Sequence, residues 1–549
     1  MPKIQDYLKQ RKHRELWRMC CGFIDLSLEE FMDIQKRLLL EQISFLGHCE
    51  LGKKLMGGSV PETIEEFRKI VPLTTYADYC PELIECRDDV LPEKPVYWAR
   101  TSGKSEEYEC KWIPISRGQW DELGPVLCAV RLFATCHYKG DVSRISTKSR
   151  VLYATAPLPY ISGVIAKKSE EDFGFRYFPS ADESEHMSFP ERLERGFWMA
   201  LSDGMDGFYG LSGILVAIGD RFKQGATSLK PAELLSKPKA LLRLVKGKVK
   251  SSLQRRQMLP KDLWSLNGIS CGGTDGVVYK DKIETMWGVR PLDVYAGTEG
   301  LVLAMQTWDY TGMTFVPTLN FLEFIPENEH FKWLLDRAYQ PKTVLLNEVK
   351  PDQNYEIVIT NFHGGSMVRY RIGDMIRITA LRNENIGIEI PQMAFDRRAD
   401  DLIDIAGFTR LTERVIWQAI ENTGIPYVDW VGRKEVDGDK MVLHLYLELS
   451  DGYKGSSQRI ASAVHDQLKK LDSDYADLES MLGLAPLEAT LLPAGAFVTY
   501  IAGRLSEGAD LAHLKPRHIN PSDQVISILS GITAKKTAPE TKIAVSDKI

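Results

Sequence analysis

The second half of this 549-residue chain has no cysteine: nine are spread between Cys20 and Cys271, and none follows. Their number is odd, Cys20 and Cys21 are adjacent, and no C-x-x-C pair occurs, which argues against both a disulfide framework and a zinc site. Reduced thiols in a cytoplasmic setting are the expectation. No apolar run approaches the roughly 18–20 residues that a spanning helix needs. The longest, Leu211 to Ile218, is short and contains Gly213. Met1-Pro2-Lys3-Ile4-Gln5-Asp6 lacks a basic segment leading into an apolar one, so no signal peptide and no membrane attachment are expected. Charge of one sign is not in excess either, and −6 over this length gives no footprint for nucleic acid. The ten histidines are scattered without metal-ligand spacing, and there is no internal repeat.

What is present is an ordinary globular composition, 44 % hydrophobic and 26 % charged, on a chain too long for a single core. Residues 1 to about 70 read as helical, with cap-like starts at Ser27-Leu28-Glu29-Glu30 and Thr63-Ile64-Glu65-Glu66. Val96 to Arg100 reads as a strand that enters the hydroxyl-rich loop Thr101-Ser102-Gly103-Lys104-Ser105 and leaves it at Lys111. A Walker A loop is ruled out, because the position five before Gly103 is Trp98 rather than glycine. Hydroxyls and exposed N–H groups after a strand still suit an anion; a polar surface hairpin is the blander reading. From Pro190 to about Trp264 the pattern is mainly helical. Between Lys237 and Arg256 lie eight Lys or Arg and no acid, which reads first as a solvated face.

The stretch most suited to a nucleotide is Tyr295-Ala296-Gly297-Thr298-Glu299-Gly300, a short apolar strand running into a tight turn. A tyrosine ring can stack on a base, Gly297 lets backbone approach a phosphate, Thr298 can donate to it, and Glu299 offers a hard-cation ligand. Asn267 to Asp275 reads as another strand ending in the double-glycine turn Gly272-Gly273, with a helix from Lys282 to Trp287 before the Tyr295 strand. Strand, turn, helix, strand is the alternation of an α/β sheet, whose ligands sit at the carboxyl ends of strands. Tyr355 to Asn361 reads as a strand, and Asp374, just past Gly373 at an expected strand end, is placed to accept ribose hydroxyls. The charged stretch from Phe395 to Asp404 marks a domain boundary, giving a domain of residues 1–394 and a smaller one of 395–549. In the second, Leu411 to Glu421 and Ile460 to Leu471 read as helices, Lys440 to Leu449 and Phe497 to Ile501 as strands, and residues from about 534 as a frayed tail.

Taken in order, these motifs resemble the adenylate-forming superfamily and, within it, the GH3 (auxin-responsive promoter) family of acyl-acid amido synthetases and its bacterial relatives. The Thr101-Ser102-Gly103 loop with Lys111, the Tyr295–Gly300 turn and Tyr370-Arg371-Ile372-Gly373-Asp374 carry the resemblance. Phe321 to Pro326, Tyr355 to Thr360 and Leu514-Lys515-Pro516-Arg517 support it, from about residue 20 to about residue 530. It implies an α/β fold: a large N-terminal adenylation domain of mixed β-sheets and flanking helices, and a mobile α+β C-terminal domain. It further implies ATP with Mg²⁺. Thr101, Ser102, Gly103 and Ser105 would face the phosphates, Gly272, Gly273 and Tyr295 would line the adenine, and Gly297 and Thr298 would meet the α-phosphate. Glu299 would hold the metal and Asp374 the ribose. Lys111, Arg398 and Lys515 would be charged contacts to the nucleotide.

The activity so implied is ligation of a small carboxylic acid to an amine through an acyl-adenylate. Two other readings stand beside it: an acyl-CoA ligase of the phenylacetate type, and a catalytically impaired nucleotide-binding sensor or scaffold. The last comes from a departure in the phosphate loop, where Lys104, Glu106 and Glu107 occupy places that the family fills with a hydroxyl residue and a second glycine. Carboxylates there would repel a triphosphate.

Overall fold

Apolar runs separated by glycine turns alternate with helical stretches between residues 150 and 300, and this alternation builds the parallel half of one large sheet. In the computed structural model, β3 (Arg150–Ala154), β4 (Arg176–Phe178), β5 (Gly207–Leu211), β6 (Gly268–Gly272) and β7 (Pro291–Gly297) run in the order β4-β3-β5-β6-β7, parallel throughout. At β7 the sheet changes character. β8 (Leu301–Gln306) returns antiparallel, and β9 (Met313–Phe315), β13 (Gln392–Arg398), β12 (Tyr370–Ala380), β11 (Asn354–Asn361) and β10 (Asn320–Pro326) complete an 11-stranded mixed sheet. β1 (Tyr97–Arg100) and β2 (Trp112–Ile115) form a separate antiparallel pair. The structure describes residues 3–101, 110–154, 156–187, 189–223, 237–272, 276–336, 338–399, 402–405, 409–437, 440–450, 452–453, 455–472, 475–476, 487–506 and 514–531.

The helix Arg117–Thr135 is buried along most of its length and packs across β6 and β8, which explains why its sequence is apolar nearly all round. The helix Leu28–Gly47 starts at a capping box: Glu30 N–H donates to Ser27 Oγ at 3.2 Å, and Ser27 N–H donates to the Glu30 carboxylate at 2.8 Å. Its buried Gln35 covers the edge strand β10. The side chain accepts from Leu322 N–H at 2.9 Å and donates to the Asn320 carbonyl at 2.8 Å, so that edge is not left as a bare row of polar groups.

The chain divides into two compact units, Met1–Ala399 and Asp400–Ile549. In the second, β14 (Leu402–Ile405) pairs with β15 (Thr409–Thr412). β16 (Tyr427–Asp437), β17 (Lys440–Leu449) and β18 (Leu487–Leu491) form a three-stranded sheet. The helices Glu413–Asn422 and Ser457–Leu471 bring Ile416, Ile420, Ile460, Val464 and Leu468 into one core with Trp430, Leu443, Leu445 and Leu447. One expectation fails here. Phe497 to Ile501 is not a strand but part of the helix Ala496–Ser506, with Phe497 and Tyr500 buried three residues apart. β-branched and aromatic residues suggested a strand, but the helical spacing of the buried pair prevails. The third strand of this sheet is instead Leu487–Leu491.

All nine cysteines are free thiols. Among the described residues no helix is long and apolar enough to cross a membrane, and no cluster of His, Cys, Asp and Glu could hold a metal ion unaided.

Candidate active site

β6 and β7 lie side by side and parallel, Gly272 opposite Val294, so their carboxyl ends lie at the same edge of the sheet. This is the carboxyl-end position, at the point where the sheet passes from parallel to antiparallel. Among the described residues, a Cβ added at Gly272 would meet nothing within 4 Å, and one at Gly297 would meet only Glu299 Oε2 at 3.7 Å, so space is open above both. Neither glycine is needed for its backbone angles. The left-handed residue of the β7–β8 turn is Leu301, with φ +58°, a conformation that non-glycine residues rarely hold without support from their surroundings.

That support comes from two asparagines. Asn361 Nδ2 donates to the Glu299 carbonyl at 2.9 Å and to Asn320 Oδ1 at 2.8 Å, and Asn320 Nδ2 donates to the Gly300 carbonyl at 2.7 Å. Asn361 Oδ1 in turn accepts from Met367 N–H at 3.0 Å. Both side chains are buried; Asn320 begins β10 and Asn361 ends β11. Sequence reading gave neither a role. The only available signal was that two polar residues sit in otherwise apolar strands, where a buried amide must find partners.

Lys111 stands at the mouth of the hydroxyl-rich loop. Thr101 N–H donates to the Lys111 carbonyl at 2.9 Å, and Lys111 N–H donates to Thr101 Oγ1 at 3.1 Å, so the two loop ends are pinned together. Lys111 Nζ donates to the Tyr370 hydroxyl at 3.1 Å and lies 4.0 Å from Glu299 Oε1. The Lys111 and Glu299 side chains keep 21 % and 13 % of their surface exposed, so this cation and carboxylate are accessible rather than sealed in the core. Thr298 is buried at 6 %.

The Tyr295 hydroxyl donates to Asp374 Oδ2 at 2.8 Å, and the Tyr295 ring packs on Phe395 at 6.1 Å between centroids. Asp374 is not at a strand end as expected. It lies inside β12, opposite Arg398 of β13. The strand continues past Gly373, which takes φ +78°, while the register with β11 shifts between Glu356 and Val358. The glycine thus redirects the strand without ending it.

Thr101, Lys111, Gly272, Tyr295, Gly297, Thr298, Glu299 and Asp374 therefore all fall in the first unit, around the ends of β6 and β7 and the start of β12. Ser102, Gly103, Ser105 and Gly273 lie outside the described residues, as do Lys104, Glu106 and Glu107 and the side chain of Arg398.

Lys515 belongs to the second unit, where Nζ donates to Asp429 Oδ2 at 2.9 Å. Asp429 Oδ1 meets His518 Nε2 at 2.9 Å, and His518 Nδ1 meets Glu413 Oε1 at 2.6 Å. The imidazole stacks on Trp430 at 4.7 Å. Burial alone would lower the His518 pKa, but its bonds to Asp429 and Glu413 outweigh that and raise it to about 9. A doubly bonded imidazolium is the consistent state, and it holds one oxygen of the carboxylate whose other oxygen anchors Lys515.

A metal ion fits Glu299 in one respect. A single accessible carboxylate is too little for a dedicated protein cage, but it suffices for Mg²⁺ that takes its remaining oxygens from substrate phosphates and water.

Three family models match in succession: the GH3 family N-terminal domain over residues 20–157, the GH3 family central domain over 313–398, and the GH3 family C-terminal domain over 411–524. Among curated proteins, the chain is 28 % identical over 226 residues to a jasmonoyl–L-amino acid synthetase of Nicotiana attenuata (39 % of this chain, 36 % of that one). It is 25 % identical over 223 residues to an indole-3-acetic acid-amido synthetase of Arabidopsis thaliana (38 % and 35 %). The chain thus spans a little over a third of the length of these relatives, at 36 % and 35 %. Among solved structures, the GH3.15 acyl acid amido synthetase in complex with 2,4-DB superposes with a TM-score of 0.65 at 16 % identity, covering 93 % of this chain and 95 % of that one. A 2-hydroxyisobutyryl-CoA ligase in the postadenylation state gives 0.60 at 15 % identity, over 92 % of each chain. At such identities the likeness is one of fold: a large N-terminal domain with mixed sheets and a smaller C-terminal one.

Proposed function

The chain belongs to the GH3 family, and on that premise we propose that it is an ATP-dependent ligase that activates a carboxylic acid as its acyl-adenylate and transfers the acyl group to an amine, with an amino acid as the acceptor. The observation that carries this reading is the meeting of Lys111 and Glu299, 4.0 Å apart, which sets the residue that closes the hydroxyl loop, bonded to Thr101, beside the β7–β8 turn. Activation joins two anions. A carboxylate oxygen bonds to the α-phosphorus of ATP while the α–β bridging P–O bond breaks and pyrophosphate leaves. What a protein can contribute is position and opposite charge.

In this reading Lys111 neutralises charge at the α-phosphate, beside Thr298 as a hydroxyl donor, and Thr101 opens the loop whose Ser102, Gly103 and Ser105 would take the outer phosphates. Glu299 would hold Mg²⁺, which supplies further neutralisation of the phosphates. Open space above Gly272 and Gly297 leaves room for the nucleotide, and Gly273 and Tyr295 are assigned to the adenine side and Asp374 to the ribose. The Tyr295 hydroxyl holds the Asp374 carboxylate in place. Arg398 and Lys515 are assigned as charged contacts that act in one orientation of a mobile C-terminal domain, residues 395–549 against 1–394. In the second half-reaction the amine nitrogen bonds to the acyl carbon, the bond to AMP breaks, and the amine loses a proton to solvent. We assign the reaction to the cytoplasm, a reading that the free thiols support.

The fold is shared with a CoA ligase, so the acceptor is what an experiment must decide. Purified protein is given Mg·ATP, a panel of small carboxylic acids, and either amino acids or CoA, with AMP, pyrophosphate and the product followed by mass spectrometry. Amide product with AMP release is the expected outcome. Thioester formed only with CoA would make it an acyl-CoA ligase; no AMP with any acid would favour the nucleotide-binding scaffold.

A further inference from the structure

The helix Pro238–Leu253 packs Ala240 and Leu244 inward but turns four large apolar residues away from the core. Ala240, Gly247 and Ser251 are buried against the body, and a Cβ at Gly247 would come within 2.5 Å of Leu263 Cδ2, so the seat is close. On the opposite face Leu242, Val245, Val249 and Leu253 are exposed at 55, 50, 54 and 81 %. Their spacing of three, four and four residues makes a continuous stripe at 3.6 residues per turn. Exposed lysines border it: Lys239, Lys246 and Lys250 on one side and Lys248 on the other. The helix carries no acid.

A cavity of about 550 Å³ lies beside the stripe, with Leu242 in its lining together with Arg150, Arg176, Lys239, Arg243 and Lys246. Two carboxylates also line it. Asp203 is taken by Arg176 at 2.8 Å and Asp262 by Arg256 at 2.7 Å, and Arg150 is matched by Asp206 at 2.8 Å. Arg243 donates only to the carbonyls of Ala200 and Leu201, at 2.9 Å each, and Lys239 and Lys246 have no carboxylate partner among the described residues. The Arg150 and Arg243 guanidiniums flank the same point, since a Cβ on Gly204 would lie 3.1 Å and 3.0 Å from them. Burial, and then the neighbouring Arg150 cation, lowers the Arg243 pKa.

We infer that the stripe and the cavity together form a docking surface for an anionic lipid bilayer, with Leu242, Val245, Val249 and Leu253 entering the headgroup boundary and a lipid phosphate received between Arg243, Lys239 and Lys246. Charge and composition choose this occupant over a protein. Protein interfaces favour aromatic residues, Met and Arg and disfavour Lys. This surface is an aliphatic stripe edged by lysines, whose long stems keep the ammonium at the headgroups while the stripe is immersed. The helix lies on the surface and does not cross it, and its docking does not depend on the ligase reading.

The test is co-sedimentation of the full chain with vesicles of phosphatidylcholine alone and with one-third phosphatidylglycerol. Binding to the anionic vesicles only is expected. Leu242→Ser with Val249→Ser should weaken it about tenfold, and Lys246→Ala about fivefold. Both sets sit on the exposed face, and unchanged thermal melting will show that they fold. No binding to anionic vesicles, or binding that the Leu242→Ser, Val249→Ser variant leaves unchanged, would overturn the proposal. So would self-association without vesicles that this variant abolishes, which would make a second copy the occupant. Complete displacement from vesicles by polyglutamate at equal charge would assign the surface to an acidic protein and equally defeat it.

Discussion

The Tyr295 hydroxyl donates to Asp374 at 2.8 Å, linking the end of β7 to β12 although β8, β9 and β13 stand between them in the sheet. The sheet must curl for these side chains to meet, as twisted sheets do. Two residues chosen separately as nucleotide contacts are thus one unit, and the phenol orients a carboxylate that is only 7 % exposed.

Tyr295→Phe removes that donor and leaves the packing of the ring on Phe395. A hydrogen bond to a charged group contributes about 1.5–3 kcal/mol, so affinity for Mg·ATP should fall about tenfold or more. Titration calorimetry of the variant is the check; an unchanged Kd would mean that Asp374 does not touch the nucleotide.

Lys111→Met removes a cation 4.0 Å from Glu299 and bonded to the Tyr370 hydroxyl. Since it is assigned to charge that develops during adenylation, acid-dependent ATP–pyrophosphate exchange should drop about 10²-fold, with a small change in the KM for the acid. Lys111→Arg should recover part of the rate. Equal exchange in wild type and Lys111→Met would remove Lys111 from the reaction.

Asn361→Ala leaves the Glu299 carbonyl and Met367 N–H without their partner in a buried place. Each such group costs about 1–3 kcal/mol, so the first unit should melt several degrees lower and pyrophosphate exchange should fall as the turn loosens. A variant with wild-type melting and exchange would show that Leu301 and its turn are held by other contacts.

His518 gives a pH signature to the second unit. Its folded pKa, about 9, lies above the ordinary 6.5. The stabilisation is therefore fully present below about pH 6.5 and is lost as pH rises through 9. Melting followed from pH 6 to 10 should show declining stability over that window, and His518→Gln should flatten the decline. A wild-type profile that is flat or rises between 6.5 and 9 contradicts a charged His518.

Much of this architecture is legible in the residues. β6 and β7 are short apolar runs that end in glycine, and the capping box at Ser27 and the N-cap at Thr63 are local signals that the structure reproduces. What escapes sequence reading depends on distant partners. Asn361 bonds to Glu299 across 62 positions, and nothing local to either residue announces it. Asp374 was expected at a strand end because glycine usually interrupts a ladder, whereas Gly373 takes up the irregularity and the strand goes on. The strain of the β7–β8 turn falls on Leu301, where a search for glycine would not look. The outward stripe on Pro238–Leu253 is also invisible in sequence, since helical periodicity gives an apolar face without saying which way it points.

The central claim is that Mg·ATP binds at the β7–β8 turn. Titration calorimetry on wild type, Glu299→Gln and Asp374→Ala tests it without knowledge of the acid or the amine. Saturable binding by wild type is predicted, with Glu299→Gln weakened only when Mg²⁺ is present and Asp374→Ala weakened with or without it. No binding by wild type up to millimolar ATP, or binding that neither substitution alters, would contradict it.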